Sequence, residues 1–239
     1  MEGIIHSIES LAAVDGEGLR CSVFLAGCPL RCAYCHNPDT WAMQGKSVTA
    51  EELVKKISRF RPYFGENGGV TFSGGEPLLQ ASFLRKVVEI LSEQGISYVL
   101  DTSGHVEQND DVLFLLSHTQ GVLLDLKFWD DASYYTYTQK GIQKTLDMLR
   151  TLEEYGTNTV LRTVVVPDVN DTKEYMDRYL KLIRGFSCVT KYELLPFHTM
   201  GFFKYEKLGV ENPFVSKKAL SREKLVEFQE YVDQKRKNG

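Results

Sequence analysis

Six times along this chain a short run rich in β-branched residues is followed by a longer amphipathic one, and this alternation restricts the fold more than any other feature. The candidate strands are Cys21–Ala26, Gly69–Ser73, Ser97–Asp101, Val122–Lys127, Thr159–Val166 and Lys191–Leu195, and helical periodicity runs near 49–61, 80–94, 109–118, 142–155, 171–184 and 221–236. Thr49 before Ala50-Glu51-Glu52 reads as an N-cap with acidic residues in the first turn, while Gly95 and Gly156 stand where helices should stop. Strands joined by crossover helices pair in parallel with right-handed connections. Six units are too few to close an eight-fold barrel, so the expectation is a partial, splayed (β/α)6 barrel, with an open doubly wound sheet as the alternative. The 239 residues suit one such domain, 1–239, without repeats or an obvious linker.

With 43% hydrophobic and 25% charged residues the chain has the composition of a soluble globular protein. Its net charge of −4 and scattered basic residues argue against nucleic acid as a partner. The N-terminal segment lacks a basic region followed by an apolar one, and no apolar run approaches the roughly 18–20 residues that span a bilayer. No membrane partner and a cytoplasmic location are therefore expected. In a reducing compartment an odd count of five cysteines is no disulfide framework, so clustered thiols point to metal or redox chemistry. Cys21 and Cys188 stand apart from the cluster and read as small buried apolar residues.

In parallel α/β folds functional groups collect at the C-terminal ends of strands. Here those ends carry Ser73-Gly74-Gly75-Glu76-Pro77, Asp101-Thr102-Ser103-Gly104, Asp125 with Lys127, Arg162, and Pro196-Phe197-His198. Residues two apart on a strand share a face, so Asp125 and Lys127 point one way and Leu124 and Leu126 the other. If helices cover the leucines, the charged pair enters the barrel lumen, either as a structural ion pair or facing a polar ligand. The segment 73–77 can be a tight turn with Pro77 opening a helix. It can also offer glycine amides to a carboxylate and Glu76 to an amine, a combination suited to an amino-acid zwitterion.

Three cysteines, Cys28, Cys32 and Cys35, lie at C-x3-C-x2-C spacing. A structural zinc needs a fourth ligand, which directly adjacent His36 is badly placed to supply jointly with Cys35, so a distant one would be required. A [4Fe–4S] cluster normally takes four thiolates; three leave one iron open to a small molecule carrying an amine and a carboxylate.

The spacing, with Tyr34 before the last cysteine and Gly-Gly-Glu after the next strand, resembles the radical S-adenosylmethionine (SAM) superfamily. Asp15-Gly16-Glu17-Gly18-Leu19-Arg20, Phe24, Gly27-Cys28, Cys35-His36-Asn37-Pro38-Asp39-Thr40-Trp41, Asp101-Thr102, Leu124-Asp125-Leu126-Lys127, Arg162 and Leu194-Leu195-Pro196-Phe197-His198 are similar to the glycyl-radical enzyme activases, over nearly the whole chain. That resemblance implies a radical SAM barrel in which Cys28, Cys32 and Cys35 hold a [4Fe–4S] cluster. SAM then binds the open iron, with Gly74, Gly75 and Glu76 at its amine and Lys127 offsetting its carboxylate. Tyr34, Cys35, His36 and His198 would surround adenosine, and Leu126 and Arg162 complete the implied set. Asp101 and Asp125 shape the site, around a monovalent cation in the family's pattern. One electron then yields methionine and a 5′-deoxyadenosyl radical that takes hydrogen from a partner's glycine. Asp15 and Trp41 are the candidates for touching that glycine loop, with plain packing the alternative for Trp41.

The cysteine-free stretch from 36 to 187 favours members that serve pyruvate formate-lyase, with a flavodoxin or ferredoxin as reductant, over those with ferredoxin-like inserts. The alternatives are an activase for another glycyl-radical enzyme, an iron–sulfur electron carrier, which should have four permanent ligands, and a zinc-stabilised module. Glu17 stands where the family often has proline, and Ser103 where it often has asparagine. His6, His105 and His118 read as structural or solvent-facing.

Overall fold

The computed structural model describes residues 1–237. Its strands are β1 (Glu2–Ala12), β2 (Arg20–Leu25), β3 (Lys46–Thr49), β4 (Gly69–Gly74), β5 (Tyr98–Thr102), β6 (Gly121–Asp125), β7 (Thr159–Val165) and β8 (Val189–Pro196). The helices are α1 (Ala50–Ile57), α2 (Arg61–Phe64), α3 (Ala81–Glu93), α4 (Asp110–His118), α5 (Asp131–Thr138), α6 (Gln143–Tyr155), α7 (Lys173–Ile183), α8 (Phe202–Leu208) and α9 (Arg222–Lys237). All eight strands share one sheet in the order β3-β1-β2-β4-β5-β6-β7-β8, which leaves β3 and β8 at its two edges.

From β2 to β8 the neighbours pair in parallel, and these six strands are the six expected from sequence. The partial (β/α)6 barrel is therefore the architecture. The sequence reading did not anticipate β1 and β3, which extend the sheet by antiparallel pairing, nor α2, α5 and α8. No described helix is long and apolar enough to cross a membrane.

Local chemistry sets the helix ends. Thr49 accepts from the Glu52 amide while Glu52 reaches back to the Thr49 amide, a complete capping box opening α1. Gly156 closes α6 at a left-handed φ of 64°. On β2, Cys21, Val23 and Leu25 turn outward into the layer containing Leu53, Ile57, Leu84, Val87 and Leu91, all of them buried. The alternate residues Arg20, Ser22 and Phe24 face the lumen side.

Arg20 lies 0% exposed beneath that lumen. Its guanidinium donates to Thr71 Oγ1 at 2.9 Å, to the carbonyls of Glu17, Asn67 and Val70 at 2.9, 3.0 and 3.0 Å, and to Gln120 Oε1 at 3.3 Å. Burial lowers its pKa to about 10, with Glu17 acting in the opposite sense. This one side chain pins the loop between β1 and β2. That loop folds back so that the Asp15 carboxylate accepts from Ser22 Oγ at 2.6 Å and the Asp15 carbonyl from Thr71 Oγ1 at 2.6 Å.

Candidate active site

The C-terminal ends of the parallel strands open onto a cavity of about 680 Å³. Its wall includes Cys28, Cys32, Tyr34, Cys35 and His36 from the loop after β2, and Gly74 and Gly75 from the end of β4. Asp101, Asp125, Lys127, Arg162 and His198 come from the later strand ends, and Asp15 and Trp41 also line it. Residues far apart in sequence meet here because parallel strands bring all their C-terminal ends to one side.

The cysteine loop is built against its neighbours. The Arg31 and Ala33 amides donate to the Thr138 and Tyr137 carbonyls at the end of α5 at 2.9 and 2.8 Å. Cys35 N donates to Cys32 O at 3.0 Å, and Tyr205 Oη on α8 to Cys35 O at 2.9 Å. Lys204, also on α8, reaches Asn37 Oδ1 at 2.6 Å and Asp39 Oδ1 at 3.1 Å. His6 Nε2 on β1 lies 3.2 Å from the other oxygen of Asp39. Asp39 thus ties the unanticipated β1 and α8 to the cysteine loop, and His6, expected to be structural or solvent-facing, also borders the cavity. Trp41 stands under the Arg31 guanidinium at 5.1 Å and edge-on to Tyr205 at 5.9 Å, so packing accounts for it while one side still borders the cavity.

Burial pushes the Cys28 thiol up to about 12 and raises Cys32 and Cys35 as well. A metal that takes these groups as thiolates must displace their protons. Among the described residues no three His, Cys, Asp or Glu side chains converge as ligands of one ion would. Three thiolates can cap three irons of a [4Fe–4S] cluster and leave the fourth open, whereas a structural zinc needs a fourth protein ligand. Three buried polar atoms on the cavity-lining side chains lack a hydrogen-bond partner: Tyr34 Oη, Arg162 Nε and His198 Nδ1. Polar atoms left like this are expected where a ligand belongs. The donor set and these orphaned atoms fit a [4Fe–4S] cluster with a polar small molecule beside it.

The lumen holds a charge network. Lys127 Nζ is 2.5 Å from Asp125 Oδ2, and Arg162 spans Asp101 Oδ1 at 3.4 Å and Asp125 Oδ1 at 4.0 Å. Ser73 Oγ donates to Asp101 Oδ2 at 2.6 Å. Burial works against the charge on Lys127, yet Asp125 more than compensates and lifts its pKa above the ordinary lysine value. Arg162 behaves alike, through Asp101 and Asp125. Burial raises Asp101, with Arg162 opposing. The two readings of Asp125 and Lys127 are thus both present, an ion pair that also lines a cavity. The carboxylates associated above with a monovalent cation are engaged by these cations and by Ser73.

Two expected site residues lie elsewhere. Leu126 is 0% exposed in the outer core because it alternates away from the lumen, and it is absent from the cavity wall. Glu76 is also 0% exposed and absent from the wall; its carboxylate accepts from Leu78 N, Thr102 Oγ1, Ser103 N and Ser103 Oγ at 3.1, 2.7, 2.9 and 2.6 Å. The glycine turn differs from expectation too. Gly75 N donates to Leu25 O at 3.0 Å and Glu76 N to Gly27 O at 2.8 Å, so these amides are not free for a carboxylate. The turn is pressed so tightly on the cysteine loop that a Cβ at Gly75 would lie 2.2 Å from Gly27 O. What the turn can offer the cavity is carbonyl oxygen, an acceptor for an ammonium group.

Ser73, Thr102, Ser103, Asn37 and Lys204 also line the cavity without having been expected there. The first three share the strand-end signal already used for Asp101. Lys204 had no local signal, because α8 was not anticipated. His36 and His198 meet edge-to-face at 4.3 Å, and burial, with His198 and Lys204 adding to it, lowers the His36 pKa.

A sequence profile described as a 4Fe-4S single cluster domain matches residues 14–145. Among curated proteins, the pyruvate formate-lyase-activating enzyme of Clostridium pasteurianum is 47% identical over 232 residues, covering 96% of this chain and 97% of its own. That of Staphylococcus aureus (strain USA300) is 41% identical over 219 residues, covering 88% and 87%. Among solved structures, a radical SAM methyltransferase from Sphaerobacter thermophilus superposes with TM-score 0.63 at 18% identity, over 90% of this chain and 64% of that one, a likeness of fold. Identity at this level over nearly the full length, on a partial barrel whose strand ends gather three thiols and an ion-paired lumen, places the chain in the pyruvate formate-lyase-activating enzyme family of radical SAM proteins, which employ a [4Fe–4S] cluster and SAM.

Proposed function

We propose that this chain activates pyruvate formate-lyase by installing a radical on a backbone glycine of that enzyme. The observation that carries this reading is the single cavity in which Cys28, Cys32 and Cys35 stand beside the charged lumen of Asp101, Asp125, Lys127 and Arg162. When bound, the reduced cluster and SAM supply a carbon-centred radical that removes one hydrogen atom from a glycine Cα, leaving methionine and 5′-deoxyadenosine.

The chain's own residues bind and orient. Cys28, Cys32 and Cys35 would each cap one iron. The carbonyls of Gly74 and Gly75 would receive the methionyl ammonium, and Lys127 and Arg162 would face its carboxylate, their charges balanced beforehand by Asp125 and Asp101. Tyr34, His36 and His198, two of them with an unpartnered buried atom, would hold adenosine. Asp15 at the lumen floor and Trp41 at the rim are assigned to the entering glycine loop. We read 1–239 as one radical SAM domain, since every strand belongs to one sheet. Reduction is assigned to a flavodoxin or ferredoxin, because the cysteine loop reaches the surface at exposed Arg31 and electrons need not cross the barrel.

The test is anaerobic electron paramagnetic resonance after mixing reconstituted protein, SAM, reductant and pyruvate formate-lyase, with 5′-deoxyadenosine assayed in parallel. A glycyl-radical signal that requires SAM and vanishes in Cys32→Ala is expected. Deoxyadenosine without that signal would redirect the assignment to another glycyl-radical substrate, and neither product from cluster-loaded protein would overturn it.

A further inference from the structure

Glu76 is buried with no cation among its hydrogen-bonding partners, yet it sits between the two strand ends that frame the methionyl side of the cavity. A carboxylate has about four lone-pair sites, and this one accepts four bonds, two on each oxygen. Oε1 takes Leu78 N and Thr102 Oγ1; Oε2 takes Ser103 N and Ser103 Oγ. The hydroxyl protons are committed to it as well. Thr102 Oγ1 accepts from Gly104 N at 2.9 Å and Ser103 Oγ from His105 N at 3.4 Å, which directs each O–H at the carboxylate. Nothing remains on Glu76 for an amine. The Ser103 carbonyl is held in turn by Thr145 Oγ1 at 2.8 Å, and Thr145 meets Tyr134 Oη at 2.8 Å, so the β5 side of this contact is anchored to α5 and α6.

We infer that Glu76 is not a ligand of SAM but a positioning residue: with Thr102 and Ser103 as its donors, it clamps the Gly74-Gly75 turn of β4 to the end of β5 and so sets where the turn's carbonyls meet the methionyl ammonium. This rests on the radical SAM reading above. Ser103 is then part of the clamp. Its side chain supplies one of the four donors, a task an asparagine N–H can also perform. Glutamine at 76 cannot replace glutamate, because its amide nitrogen would have to face either the Leu78 N–H or the Ser103 N–H, donor against donor.

The experiment measures deoxyadenosine formation against SAM concentration, and titrates SAM into the reduced cluster by electron paramagnetic resonance, for wild type, Glu76→Gln, Ser103→Ala, Ser103→Asn and the double variant Glu76→Gln/Ser103→Ala. The clamp predicts that Glu76→Gln and Ser103→Ala each raise the KM for SAM, and the midpoint of the spectral titration, by about tenfold, the usual weight of one hydrogen bond to a charged group. It also predicts kcat within about twofold, reversal by Ser103→Asn, and a double variant no worse than Glu76→Gln alone, the non-additivity of residues acting as one unit. A direct Glu76–SAM contact would instead leave Ser103→Ala at the wild-type KM or make the two changes additive, and either result overturns the inference. If Glu76→Gln fails to fold, Ser103→Ala, which keeps the carboxylate and three of its donors, decides the matter alone. A wild-type protein that loads its cluster yet shows no SAM-dependent spectral change would sink the functional reading instead, and is told apart by that control.

Discussion

Replacing Arg162 by methionine tests the electrostatic account of the lumen most severely. In the native protein its guanidinium lies 3.4 Å from Asp101 and 4.0 Å from Asp125, and all three side chains are less than a quarter exposed. At an effective dielectric constant of about 20 these contacts correspond to roughly 5 and 4 kcal/mol of attraction, much of it offset by the cost of desolvating the three groups. Removing one partner of such a set leaves charge uncompensated, and a loss of about 3–5 kcal/mol of stability is expected near pH 8. The sign of the pH dependence follows from Asp101. Burial already raises its pKa above the ordinary aspartate value, with Arg162 holding it back. A carboxyl whose folded pKa lies above its unfolded one binds more protons when folded, so its ionisation costs stability as pH rises through that window. Without Arg162 the window widens upward, and the variant's deficit should shrink as pH falls and the Asp101 carboxyl takes up a proton. Urea denaturation of both proteins at pH 8 and pH 5.5 measures this. A deficit below about 1 kcal/mol at pH 8, or one that grows on acidification, would refute the reasoning.

Arg20→Lys, which keeps the charge but loses the guanidinium fork serving three carbonyls, should cost more than about 2 kcal/mol in the same denaturation assay. Gly75→Ala forces a Cβ to within 2.2 Å of Gly27 O, a backbone atom that can yield only if the cysteine loop moves. Cluster loading, read from its absorbance, should fall along with activity. Thr49→Ala removes the hydroxyl of the α1 capping box and should lower stability by about 1 kcal/mol without changing turnover.

The six β/α units could be read from sequence because each depends on a local period, two in strands and near 3.6 in helices, that burial on one side imposes. Five elements escaped that reading for physical reasons. The 11-residue β1 has an interrupted alternation and register shifts, and its pairing with β2 and β3 is tertiary. Helix α5, Asp-Ala-Ser-Tyr-Tyr-Thr-Tyr-Thr, has little apolar periodicity and is rich in β-branched and aromatic residues. Its one local cue is the Asp130 side chain capping Ser133 N. Helices α2 and α8 are short, four and seven residues, and β3 is a four-residue edge strand.

Within the site, the linear spacing of Cys28, Cys32 and Cys35 carried its own meaning, since a cluster needs its thiols near one another and a short loop brings them there. The inward-facing Asp125 and Lys127 followed from strand alternation alone. Where a hydrogen bond points is not a local property. Glu76 looked like a group for an amine until the end of β5 placed Thr102 and Ser103 on its carboxylate, and the Gly75 amide looked free until β2 presented the Leu25 carbonyl to it. Sequence by itself determined the six-unit parallel scaffold and the three thiols at its mouth. Only the tertiary structure decided which polar groups are used up holding the strand ends together and which remain for a ligand, because each donor or acceptor can be spent once and its partners come from elements far apart in the chain.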